Sequence, residues 1–189
     1  MIRMRSLCSI LLVGAVLGFP LLSKAGQGGA QAKKSPSVGD KAPDFTLKDF
    51  QGKRFTLSKL KGPEGALLWF TNRCEGCQSK FGEMEKFNSE YSGKGIEVIA
   101  LSQLGKDRKT VEEAIRVNHL TVRFLYDPNG EVTGRFSGRY LPGTCPLTNL
   151  YAIDKDGIIA YATHYPGVPE AEVAGELARM RVATAKGSE

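Results

Sequence analysis

The run Ala66-Leu67-Leu68-Trp69-Phe70, closed by the polar Thr71-Asn72-Arg73, restricts the possible folds more than any other stretch of the chain. A strand with no polar position offers no face to water, so it belongs in the middle of a sheet covered on both sides. Ile96-Glu97-Val98-Ile99-Ala100-Leu101 reads as a second buried strand. Between the two, the segment from Glu75 to about Tyr91 places Phe81, Met84, Phe87 and Tyr91 at helical spacing. Lys106 to Asn118 reads as a helix whose inward side is Val111, Ala114 and Ile115, with Leu120 following. Val122 to Tyr126 is a strand ended by the turn Asp127-Pro128-Asn129-Gly130. A short helix or turn from Glu131 to Phe136 and an irregular loop from Ser137 to Thr148 come next. Asn149 to Asp154 and Ile158 to Ala162 then form a hairpin about Lys155-Asp156-Gly157. Pro169 to about Thr184 opens with proline and acids and carries Val173, Leu177 and Met180 at helical spacing, as a closing helix does. Upstream, Phe45-Thr46-Leu47 and Arg54-Phe55-Thr56-Leu57 alternate around Asp49-Phe50-Gln51-Gly52 as a pair of short strands. The class is α/β: a mixed central sheet, helices on both faces and an N-terminal β-hairpin.

The first residues obey different rules. Met1-Ile2-Arg3-Met4-Arg5 is basic, Leu7 to Leu22 is apolar apart from small residues and Pro20, and Ser23-Lys24-Ala25 suits an export peptidase. Residues 1–25 are therefore expected to be a signal peptide cut after Ala25, or a membrane anchor if they are not cut. The apolar stretch of sixteen residues is short for a bilayer, which needs roughly 20. Residues 26–37, GQGGAQAKKSPS, hold nothing to bury and read as a flexible linker, leaving residues 38–185 as the folded domain. Removing the leader takes Arg3, Arg5 and Lys24 and no acid, so the formal charge falls from +6 to +3. Such a mild excess is no argument for nucleic acid. The expected location is periplasmic or secreted, with no stable membrane insertion after cleavage.

Export also alters the cysteine arithmetic. Cys8 leaves with the leader, and Cys74, Cys77 and Cys145 remain in an oxidising compartment, an odd number. Cys74 falls at the start of the helix after the buried strand, and Cys77 one turn inside it. Unpaired N–H groups and the positive end of the helix dipole stabilise a thiolate at Cys74, so its pKa should lie below the usual thiol value. A Cys74–Cys77 bond closes a loop of only two intervening residues and removes little entropy from the unfolded chain. Exchange chemistry explains such a pair better than stapling does. Arg73 and Glu75 flank the nucleophile with opposite charges, and the sign of their net effect stays open.

The opening Val38-Gly39-Asp40-Lys41-Ala42-Pro43-Asp44-Phe45-Thr46-Leu47, then Gly52, then Leu57-Ser58-Lys59-Leu60-Lys61-Gly62, then Cys74-Glu75-Gly76-Cys77, resembles the redoxin (AhpC/TSA) branch of the thioredoxin superfamily. Within it the chain is similar to exported thiol-disulfide oxidoreductases of the TlpA and ResA kind, from about Val38 to Met180. The resemblance implies a thioredoxin-like fold, Cys74 as nucleophile, Cys77 as resolving thiol, protein disulfides or dithiols as substrates, an electron donor of unknown identity, and no cofactor or metal. It departs at three positions: Arg73 replaces a tryptophan, Lys80 a proton-managing glutamate, and Gly82 a helix-kinking proline. The same resemblance makes Pro146, in Gly143-Thr144-Cys145-Pro146-Leu147-Thr148, the cis-proline that shapes the substrate edge, with Cys145 facing the dithiol. Cys145, Pro146 and Arg73 are thus the candidate substrate-binding residues.

Two rival resemblances remain. Thr71, three residues before Cys74, is similar to half of a peroxiredoxin site. Leu67 stands in place of that site's proline, however, and Thr148 in place of its arginine, with Arg139 unassigned nearby. Without those groups a peroxidase lacks electrostatic support for the departing oxygen. Sco-type copper chaperones also carry paired cysteines after this strand, and Cys74, Cys77 and Cys145 could offer three soft ligands to Cu(I). Their cysteine spacing is wider and their histidine is not found in the corresponding loop; His119 and His164 read as surface residues.

Overall fold

In the computed structural model the strands among the described residues are β1 (Thr46–Asp49), β2 (Arg54–Thr56), β3 (Gly65–Thr71), β4 (Ile96–Ser102), β5 (Arg123–Tyr126), β6 (Leu150–Asp154) and β7 (Ile159–Thr163). They hydrogen-bond in the order β2-β1-β5-β4-β3-β6-β7. The residues described are 35–60, 64–71, 75–102, 108–137 and 148–186. The helices are α1 (Glu75–Gln78), α2 (Phe81–Tyr91), α3 (Arg108–Val117), α4 (Glu131–Ser137) and α5 (Glu170–Lys186). β3, β4 and β5 run parallel, and β1, β2, β6 and β7 add antiparallel edges, so the sheet is mixed. Parallel neighbours require crossovers, which α1–α2 and α3 supply.

β3, apolar but for its last residue Thr71, does lie inside the sheet, between β4 and β6, with every residue buried. Its alternate side chains feed two cores. Leu67 and Trp69 meet Phe81, Met84 and Phe87 of α2, Val111 of α3, and Val173, Leu177 and Met180 of α5. Ala66, Leu68 and Phe70 meet Val132 and Phe136 of α4, with Phe45, Phe55 and Leu57 from the N-terminal hairpin. This accounts for the helices on both faces. At the start of β3, Gly65 has φ of +125°, and a Cβ there would lie 2.1 Å from the carbonyl oxygen of Ile153. The close pairing of β3 with β6 thus needs a glycine.

One expected element is divided. The single helix from Glu75 to Tyr91 breaks at Ser79-Lys80 into α1 and α2. Lys80 has φ −101° and ψ 2°, and its N–H donates to the Cys77 carbonyl at 3.2 Å, a tighter turn than the α-helical one. The apolar spacing survives the break because Phe81, Met84, Phe87 and Tyr91 all belong to α2. Four expected strand starts move by one residue. Phe45, Val122, Asn149 and Ile158 precede β1, β5, β6 and β7 instead of starting them.

Candidate active site

β3 delivers the chain to the carboxyl edge of the parallel strands at Thr71, and α1 begins at Glu75. Cys77 lies in α1 and is half-buried. Arg73 and Cys74 fall within residues 72–74, and Cys145 and Pro146 within residues 138–147, both outside the described residues. What the structure describes is the frame around them.

Beneath the junction the side chains are aromatic. Trp69, on one face of β3, packs edge-on to Tyr165 with ring centroids 4.8 Å apart and against Phe87 at 6.1 Å. Phe70, on the other face, meets Phe136 at 5.2 Å and Tyr151 at 5.7 Å. Pairs like these contribute about 0.5–1.5 kcal/mol each beyond the area they bury, which makes a stiff platform under the edge. Lys80 sits over the Tyr165 ring at 5.7 Å and pairs with Glu83 at 2.6 Å. A cation therefore stands one turn after Cys77, where the resemblance leads one to expect an acid.

The flanks of residues 138–147 are tied to this platform. Ser137 Oγ donates to the Thr148 carbonyl at 3.1 Å, so the segment leaves and returns at neighbouring points. Tyr151 donates its hydroxyl to the Phe136 carbonyl at 2.9 Å, and burial pushes its pKa up. The Asn149 carbonyl accepts the Phe70 N–H at 2.8 Å, next to the last residue of β3. Asn149 also spends its whole side chain on Tyr165, donating to that carbonyl at 2.8 Å and accepting its N–H at 2.7 Å. The residues on either side of 138–147 are thus held beside β3, the strand that precedes Cys74 in the sequence. Among the described residues the Tyr165–Pro166 peptide is cis; the cis expectation at Pro146 lies outside them.

Asn149 and Tyr165 were not among the residues picked out for the site. A lone asparagine at a strand start carries no spacing signal, and its importance comes from contacts sixteen residues away. Thr71 shows the reverse behaviour. It is 1% exposed, and among the described residues its Oγ1 has no hydrogen-bond partner. Buried hydroxyls are usually paired, so an unpaired one at a site edge calls for an explanation.

His119 is exposed with φ of 51° at the end of α3, a helix-ending position. His164 is exposed after β7. Among the described residues no three His, Cys, Asp or Glu side chains cluster as metal ligands. The copper reading draws two of its three sulfurs from outside those residues.

The comparisons agree with this frame. Residues 38–162 match the model of the AhpC/TSA family. The chain belongs to that family. Within it, this AhpC/TSA protein is 31% identical over 152 residues to the thiol-disulfide oxidoreductase ResA of Bacillus thuringiensis (strain Al Hakam), covering 78% of this chain and 79% of that protein. Its fold is similar to that of a candidate thiol:disulfide interchange protein DsbE from Chlorobium tepidum, with TM-score 0.65, 23% identity, and coverage of 78% and 99% of the two chains. It is also similar to the peroxidoxin BcpB of Mycobacterium tuberculosis, with TM-score 0.61, 22% identity, and coverage of 77% and 96%. The fold is therefore thioredoxin-like, and it hosts proteins named for disulfide exchange and for peroxide chemistry alike.

Proposed function

We propose that this AhpC/TSA protein is an exported thiol-disulfide oxidoreductase acting on protein substrates through Cys74 and Cys77. Residues 1–25 would serve as the export signal, residues 26–37 as a tether and residues 38–185 as the catalytic body. The Cys74 thiolate attacks one sulfur of a substrate disulfide. That bond breaks, a Cys74–substrate mixed disulfide forms, and the substrate's other sulfur leaves as a thiolate that takes up a proton. Cys77 then loses its proton and attacks Cys74 Sγ, releasing the second substrate thiol and closing Cys74–Cys77. Two electrons pass to the substrate, and an external dithiol must return them for another cycle. With the opposite starting states the same steps oxidise a substrate dithiol.

The observation that carries this reading is the join between a fully buried β3 and α1 in a family member 31% identical to a ResA thiol-disulfide oxidoreductase, with a Cys-x-x-Cys spanning that join. The break after Gln78 limits how far the helix dipole can help, since α1 has only four residues. Most of the dipole's effect comes from the N–H groups of the first turn, so part of the thiolate stabilisation remains. Pro146 and Cys145 would shape the substrate edge.

Two variants test the mechanism. Cys74→Ser abolishes reduction of insulin disulfides, and Cys77→Ser accumulates a mixed disulfide visible as a substrate adduct in non-reducing mass spectrometry. Full turnover by either variant would count against this assignment. Peroxide consumption by the reduced protein, faster than its disulfide exchange, would move the assignment to the peroxidase reading.

A further inference from the structure

The sheet register places Arg54, Lys48, Tyr126, Ser102 and Thr71 in one row across β2, β1, β5, β4 and β3. Residues paired across neighbouring strands face the same side. The row lies at the carboxyl ends of the three parallel strands, the edge where open α/β sheets take their ligands. It ends at Thr71, whose hydroxyl has no partner among the described residues, three residues before Cys74 in the chain.

At the other end of the row, Lys48 and Arg54 are direct cross-strand partners. Like charges set opposite each other destabilise a hairpin. Among the described residues neither side chain has an ion pair or a hydrogen bond, and both are exposed. They line a cavity of about 570 Å³ together with Phe50, Arg108 and Tyr126. Arg108 is held in place, lying over the Phe50 ring at 5.6 Å, donating to the Phe50 carbonyl and pairing with Glu112 at 2.6 Å. The acid in the wall, Asp49, is 6% exposed, and its Oδ1 accepts the N–H groups of Gln51 at 3.1 Å and Lys53 at 2.8 Å. The cavity therefore presents positive charge beside aromatic surface, and the one carboxylate lining it among the described residues is turned to the backbone.

We propose that this cavity is a docking subsite for an acidic residue of the polypeptide substrate, set a fixed distance from the substrate cysteine that meets Cys74. Strands stand about 4.8 Å apart, so Lys48 lies roughly 14 Å and Arg54 roughly 19 Å from Thr71 across the sheet. An extended peptide advances about 3.3 Å per residue, so about four to six residues span the distance from the cations to the end of β3. Phe50 and Tyr126 suit an apolar neighbour of that acid. The exchange step rests on the function proposed above, whereas the docking does not need it.

The test uses cysteine-free fluorescent peptides that differ only in carrying Glu, Gln or Lys beside a leucine, followed by anisotropy on the intact protein. The Glu peptide binds about tenfold more tightly than the Gln peptide at low ionic strength, the Lys peptide more weakly still, and the preference shrinks as salt is added. In the double variant K48E/R54E the order reverses, while turnover of the uncharged bis(2-hydroxyethyl) disulfide is unchanged. Equal binding of the three peptides, or an acidic preference that survives K48E/R54E, overturns the subsite. So does loss of bis(2-hydroxyethyl) disulfide turnover in that variant, which would tie the two cations to the thiols themselves. A wild-type protein that exchanges no disulfide yet still prefers the Glu peptide would leave the subsite standing and remove the oxidoreductase reading.

Discussion

Asn149, just before β6, and Thr71, at the end of β3, are buried to nearly the same degree, 3% and 1% exposed, yet their polar atoms fare differently. Asn149 has its side chain bonded to both backbone groups of Tyr165 and its own backbone bonded to Phe70 and Thr163. Thr71 leaves its hydroxyl unpaired among the described residues, in a row that ends in two unpaired cations. The β6–β7 side of the sheet spends its polar groups on holding the fold. The carboxyl edge of β3 to β5, extended across β1 and β2, keeps some unspent, as an edge that meets a partner does.

The comparison breaks first at Asn149. Asn149→Ala removes both hydrogen-bonding groups, strands the Tyr165 N–H and carbonyl, and should cost about 3 kcal/mol in a denaturant melt. A cost below about 1 kcal/mol would mean that the clamp is ornamental. Glu85 extends the same logic to α2. Burial pushes its carboxyl up, but the Thr121 hydroxyl, the Thr121 and Val122 N–H groups and Asn88 more than offset this, so its pKa falls below the ordinary 4.5. A carboxylate depressed in the folded state stabilises above the unfolded pKa, and that stability is lost as pH falls through the folded value. Glu85→Gln should therefore cost about 1 kcal/mol at pH 7 and nothing measurable at pH 2, read from paired urea titrations. The smallest effect has the opposite sign. Thr71→Val removes a hydroxyl that makes no bond among the described residues and should raise stability by about 0.5 kcal/mol. If it also lowers kcat/KM for protein disulfides, the spare hydroxyl serves the substrate, and unchanged activity would reduce it to a packing accident.

Much of the architecture was legible because its signals are local. Leu67 and Trp69 belong to a run with no polar position, and Ile99 and Leu101 to one whose single polar residue is Glu97, and burial on two faces admits little else. Phe81, Met84 and Phe87 kept their helical spacing even though the helix they were read from is divided. The division itself was hidden, since Ser79 and Lys80 are ordinary helix residues. Asn149 and Tyr165 were equally hidden, because each matters through a partner far along the chain.

The amino-acid order alone determined that a dithiol follows a strand with no polar face, because both facts lie within neighbouring residues. Only the tertiary structure decided that Thr71, Ser102, Tyr126, Lys48 and Arg54 form one row. Register between strands is set by the pairing and packing of segments distant in the chain, and a shift of one residue would turn every one of those side chains to the opposite face.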